Sequence, residues 1–295
     1  MLKRVGIVVA ILIVALLGGL ILQFQPRHEP SCKGKPLHYW VDPWAYGGQE
    51  SPQDVTAALN AMQNRAIPYL IDKLRWKPRP IMLKLYQQFP RFPPFMSYVQ
   101  GASNPRGPAA HALGQFGPLA TNAIPQLLIL SSNSDLSSSW YDRGCAQAAL
   151  VKIRQEPLTP YIDKLKDTSD LDAWYQNAMM IGEFGADGTN AIPNLIAALD
   201  PTNHPVIQAH GLIALGMIHS QPEACVPAIV PFLRSPDVAL RQKAVYALPQ
   251  FQGGAKSAWA ELLVCLQDSD PWTRQETKRA LKAIDPEAAA KAGIK

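Results

Sequence analysis

The chain has 295 residues, a net charge of +5 at pH 7, 47% apolar residues and 17% charged ones. That balance excludes a disordered or low-complexity polypeptide and leaves room for one or two folded domains. The charge is uneven: residues 1–50 carry +2, 51–108 carry +6, 109–200 carry −5 and 201–295 carry +2, so a basic region precedes an acidic one.

Taken in order, Lys3 and Arg4 precede Val5 to Phe24, twenty uncharged residues, long enough at about 1.5 Å per residue to cross a ~30 Å hydrocarbon core. A cleaved leader would have a shorter apolar core and a small-residue cleavage site, so the expectation is an uncleaved anchor. The tight Lys3 and Arg4 pair outweighs Arg27, Lys33 and Lys35, which puts the N-terminus in the cytoplasm and the bulk of the chain outside it. Gln25 to Glu50 follows, with Tyr39, Trp40, Trp44 and Tyr46. These aromatics suit either a membrane interface or a fold-back of Leu37 to Val41 as a cap on the first repeat, and the cap is the expectation taken forward. Ser51-Pro52-Gln53-Asp54 reads as a helix start, with the helix running to about Gln63.

From Ala66 the chain repeats. Apolar residues at i, i+3, i+4 and i+7 mark one helix face and begin at Ile67, Ile124, Leu158, Ile192, Val226 and Trp259, with offsets of 57, 34, 34, 34 and 33. Proline follows at Pro68, Pro125, Pro193 and Pro227, where an N1 position would suit it, and Asn122 and Asn190 are expected caps. A second signature follows each first helix: Ala112-Leu113-Gly114, Ala149-Leu150, Ile181-Gly182, Ala214-Leu215-Gly216, Ala247-Leu248 and Ala280-Leu281. Its small residues permit close helix approach. About 23 residues are inserted between the first two repeats.

This pattern resembles the short HEAT-like repeats of α-solenoid proteins over roughly residues 66–284. Asp237 with Arg241 and Asp268 with Arg274 look like that family's loop-Asp and second-helix Arg, whereas Gln208 breaks the series. Gly34 to Trp40 after an anchor looks like a group of bacterial membrane-anchored HEAT proteins, a resemblance that brings no activity with it. The resemblance implies an all-α fold, a right-handed α-solenoid of about six HEAT-like helix pairs behind an N-terminal transmembrane helix. Residues 1–25 would be the anchor, 26–50 the juxtamembrane segment and 51–295 the solenoid, with an irregular insertion at 76–106.

No nucleophile elbow, phosphate loop, His-Glu-x-x-His or CxxC occurs. Gly182, Gly185 and Gly188 follow a helix and read as C-terminal capping; the six histidines are scattered and form no metal set. The expectation is therefore a non-enzymatic scaffold for a protein partner, without cofactor or metal and held to the membrane through residues 5–24. A HEAT-like nucleic-acid-binding or base-modifying protein, or an enzyme of another type, is the alternative; the acidic 109–200 segment ranks nucleic acid below protein. Candidate partner-binding residues are Trp76, Arg79, Lys84, Tyr86, Arg91 and Phe92 in the insertion, where the aromatics serve either contact or packing on the first repeat. The others are Tyr175, Gln176, Gln208, Gln242 and Gln275 on the second helices, in columns that also hold Arg143, Arg241 and Arg274. Inter-repeat hydrogen bonding is the competing role, taken for Arg241 and Arg274. Cys145, Cys225 and Cys265 are expected to be buried thiols, and Cys32 exposed.

Overall fold

A computed structural model describes residues 29–41, 52–77, 84, 88, 104–132 and 140–294. The apolar run from Val5 to Phe24, Trp44, Tyr46 and the Ser51 cap lie outside the described residues, as does most of the insertion. No helix among the described residues is long and apolar enough to cross a membrane. The chain divides into two compact units, Met1–Asp72 and Lys73–Lys295.

In the first unit, β1 (Ser31–Cys32) pairs antiparallel with β2 (Lys35–Pro36). Lys33 and Gly34 both take positive φ, 50° and 73°, the pattern of a two-residue turn matched to strand twist. The helix α1 (Leu37–Val41) follows directly, with Leu37, Trp40 and Val41 buried. Glu29 accepts the His38 backbone N–H at 2.7 Å and lies 2.8 Å from the ring Nδ1, and Trp40 Nε1 donates to Lys35 O. The segment thus folds around its aromatic core; the hairpin ahead of it was not visible in the sequence. The helix α2 (Pro52–Leu74) buries Ala58, Met62, Ala66 and Leu70, one residue per turn. It does not stop near Gln63. Pro68 lies inside it, where the missing N–H removes one i→i−4 bond, because helix-forming Ala, Leu, Gln and Arg residues carry the register through.

In the second unit, α3 (Arg106–Gln115) leads into a 3-10 segment, Gly117–Ala123. Five helix pairs follow among the described residues. First helices are α4 (Ile124–Ser132), α6 (Thr159–Lys164), α8 (Ile192–Ala197), α10 (Pro222–Ile229) and α12 (Trp259–Cys265). Second helices are α5 (Trp140–Arg154), α7 (Leu171–Gly182), α9 (Pro205–Ile218), α11 (Val238–Ala247) and α13 (Pro271–Ile284). A short α14 (Pro286–Lys291) closes the array. The second helices stack consecutively from α3 to α13, and one continuous apolar core runs from Ala148 to Ile284. Asp170, His204, Asp237 and Asp270 each cap the second helix they precede through a side-chain bond to its first turn, a periodic start signal.

Close approach follows the small residues as expected. A Cβ on Gly114 would lie 3.2 Å from Ala149 Cα, and one on Gly216 2.9 Å from Ala247 Cα. Three local expectations are corrected. Pro227 lies inside α10, which starts a turn earlier at Pro222. Pro125 and Pro193 do stand at helix starts, but 3-10 segments run straight into those helices; Asn122 and Asn190 fall within them, and Ala191 precedes α8 without a side-chain cap. The i+4 position of the first helices is shallow: Leu128 is 44% and Leu263 38% exposed, whereas Leu127 and Leu262 are fully buried. Helices of six to nine residues cover too little of the core to bury a wide stripe.

Candidate protein-binding face

The stacked second helices bring the predicted columns together, mostly in bonds within the fold. Arg241 Nε and Nη2 donate to Asp268 Oδ2 and Oδ1 at 2.7 and 3.0 Å, a bidentate pair between successive repeats; Nη1 also reaches Ser235 O and Pro236 O. Asp237, the expected partner, instead accepts from Ala239 N. Arg274 stays within its own pair, donating to Asp268 O and Ser269 O, which corrects the inter-repeat role expected for it. Gln208 is buried and donates to Asp200 O at 2.8 Å. Gln242 donates to Asp270 Oδ2; that bond, with those from Thr273, holds the Asp270 carboxyl below the usual carboxylate range. Gln176 is half-buried and Gln275 exposed. Of the insertion candidates, Trp76 is half-buried with the Arg106 guanidinium 5.7 Å over its ring, and Lys84 is exposed. Arg79, Tyr86, Arg91 and Phe92 lie outside the described residues.

Farther up the array, Arg143 Nη2 donates to the Tyr175 hydroxyl at 3.1 Å, and the Tyr175 ring stacks on His210 at 4.9 Å between centroids. Burial lowers the His210 pKa, with the nearby Lys243 ammonium adding to the shift. Tyr175 therefore touches the second helices on either side of its own.

Two buried polar networks escaped the sequence reading. Asp142 accepts from Asn104 Nδ2 at 2.7 Å and Arg106 Nη2 at 3.2 Å, all three being buried. His111 Nδ1 lies 2.6 Å from Glu183 Oε2, joining α3 to the end of α7. Between them, Lys152 of α5 donates to Glu183 O at 2.7 Å, a cation on the carbonyl end of a helix, and burial lowers its pKa. The available signal was Asp142 and Lys152 within α5 and Glu183 at the end of α7, charged residues beside apolar second-helix positions, which mark a buried partner but not its identity.

Cys145, Cys225 and Cys265 are buried and Cys32 is half-buried, all as free thiols. Burial pushes the Cys145 thiol well up and Cys225 to about 11, so neither is a thiolate at neutral pH. The capping expected of three glycines is met only in part: α7 ends at Gly182 with Glu183 as its cap, Gly188 lies in the next 3-10 segment, and Gly185, which opens that segment, alone takes a left-handed φ, 54°. No group of three or more His, Cys, Asp or Glu among the described residues is placed to hold a metal ion.

Residues 226–292 match the family described as HEAT repeats, the span of the pairs α10 with α11 and α12 with α13. No curated protein matches the chain. Among solved structures, an engineered protein from the Northeast Structural Genomics Consortium is 19% identical with a TM-score of 0.38, over 65% of this chain and 94% of its own. A second, also 19% identical, has a TM-score of 0.40 over 84% of this chain and 68% of its own. Residues 226–292 are thus similar to HEAT repeats, and the described residues before them, from α4 onward, form helix pairs of the same order. Such repeats generally serve as scaffolds for protein interaction.

Proposed function

We propose that the chain is a membrane-anchored, non-enzymatic HEAT-repeat scaffold that binds a protein partner, of the bacterial kind its Gly34 to Trp40 segment resembles. The observation that carries the reading is the unbroken stack of second helices from α3 to α13, which sets polar and aromatic side chains of successive repeats on one face, as repeat proteins do for extended partners. Val5 to Phe24 supplies the anchor, with the bulk of the chain extracytoplasmic. In-cell cross-linking followed by affinity purification from solubilised membranes tests the binding role: a reproducible protein partner is expected, and repeated recovery of none overturns it. Alkaline phosphatase fused after Lys295 is expected to be active, and a silent fusion overturns the topology.

A further inference from the structure

Several cations of the helix stack are held within the fold, and Lys278 and Lys282 of α13 are exposed. Arg106 is bound to Asp142, Lys152 to Glu183 O, Arg241 to Asp268, Arg274 to loop carbonyls and Arg279 to Glu276. Arg143 and Lys243 differ. Both are half-buried, and neither forms an ion pair among the described residues. Arg143 Nε is also a buried donor with no acceptor among the described residues, a costly arrangement in a folded protein. Between the two cations stand Tyr175 and His210, stacked on each other. The Tyr175 hydroxyl accepts from Arg143, so its own proton remains available for donation.

We propose that Arg143, Tyr175, His210 and Lys243 form a row that receives the carboxylates of an acidic, extended segment of a partner protein, an inference that rests on the scaffold reading above. The row crosses four consecutive second helices, α5, α7, α9 and α11. With helix axes about 8–10 Å apart it spans roughly 24–30 Å, which about eight extended residues cover at ~3.3 Å each. Arg143 offers a planar fork and Lys243 a point charge, with an aromatic platform between them. Two cations across that length suit sparse carboxylates. A nucleic-acid strand carries a charge at every nucleotide, a denser spacing than two cations across four helices match.

The test is fluorescence anisotropy of the full chain with a fluorescein-labelled ten-residue peptide of alternating Glu and Gly. The same peptide with Gln for Glu, and a ten-nucleotide oligothymidylate, serve as comparisons. The Glu peptide is expected to bind and the Gln peptide not to bind. Arg143→Gln and Lys243→Gln are each expected to weaken binding by about tenfold, the loss of one charge-assisted bond. Lys278→Gln, on the exposed surface of α13, is expected to leave binding unchanged. Circular dichroism melts verify folding, and Lys243→Gln keeps the test decisive if Arg143→Gln unfolds, because Lys243 has no bonded partner to orphan among the described residues. Equal binding of the Gln peptide, Glu-peptide binding untouched by both substitutions, or preferential oligothymidylate binding through the row each overturns the proposal. If the double variant recovers the same cellular partner as the wild type, the scaffold reading stands and the row assignment falls. If the Glu peptide binds the row and no partner is ever recovered, the reverse holds.

Discussion

Arg241 meets Asp268 with two bonds between side chains only 13% and 8% exposed, and the Arg241 hydrogen bond holds the Asp268 carboxyl below its ordinary range. Removing the arginine leaves a shielded carboxylate and two loop carbonyls without their donor. Arg241→Ala is expected to cost about 2 kcal/mol, between an exposed pair at ~0–1 and a buried one at ~3–5, measured by urea denaturation at pH 7. Because the folded Asp268 pKa is lowered, its contribution is complete above the unfolded value near 3.8 and is lost as pH falls through the lower folded one; the wild-type and Arg241→Ala stabilities should converge there. His210 acts at a different pH. Its folded pKa lies below 6.5, so the unfolded chain takes up the proton first. Stability declines as pH falls through about 6.5 and levels off below the folded pKa. His210→Gln should remove that part of the pH profile while leaving the rest intact. Thiol titration under native conditions should label Cys32 well before Cys145 and Cys225, whose burial raises their pKa, and simultaneous labelling of all three would contradict their placement.

At the level of the helix, the glycines of the second helices separate two effects of opposite sign. Alanine at an interior helix position gains about 1 kcal/mol over glycine in propensity. At Gly216 the new Cβ would stand 2.9 Å from the Ala247 backbone, and overpacking costs about 1–3 kcal/mol, so Gly216→Ala is expected to destabilise. At Gly144 the nearest atom is Met179 Cβ at an ordinary 3.5 Å, so Gly144→Ala is expected to stabilise by roughly 1 kcal/mol; paired thermal melts decide both. These contacts also show what the sequence could reveal. The spacing of apolar residues and of Ala and Gly determines which helices exist and which faces meet, and that much was legible. Helix starts were less so, since Pro68 and Pro227 look identical to Pro193 locally, and only the length of the preceding helix decides whether the proline opens it or sits inside it. The Lys33-Gly34 hairpin was hidden because two-residue strands carry no measurable alternation.

Across the whole molecule, contacts in a repeat array ordinarily join neighbours only. His111 and Glu183 depart from this: they lie 72 residues apart and link α3 to α7 past the intervening α5. A double-mutant cycle of His111→Ala and Glu183→Ala should show a coupling of about 0.5–3 kcal/mol, and a value near zero would remove the bridge from the account of stability. Periodicity could not disclose this pair, because it compares equivalent positions, whereas the bridge joins the middle of one second helix to the end of another. The candidate face was legible to a similar degree: its columns could be read, but that Arg241 meets the loop aspartate of the next repeat, Asp268, and not Asp237 of its own, depends on how the repeats stack. The bridge has a mechanical consequence. An array linked only between neighbours bends like a string of hinges, each free to open by a few degrees. A brace that skips one member ties three second helices into a single plate, so elastic deformation on loading should concentrate beyond α7. Hydrogen exchange should then show Glu183→Ala loosening α3, α5 and α7 together while α11 and α13 keep their protection.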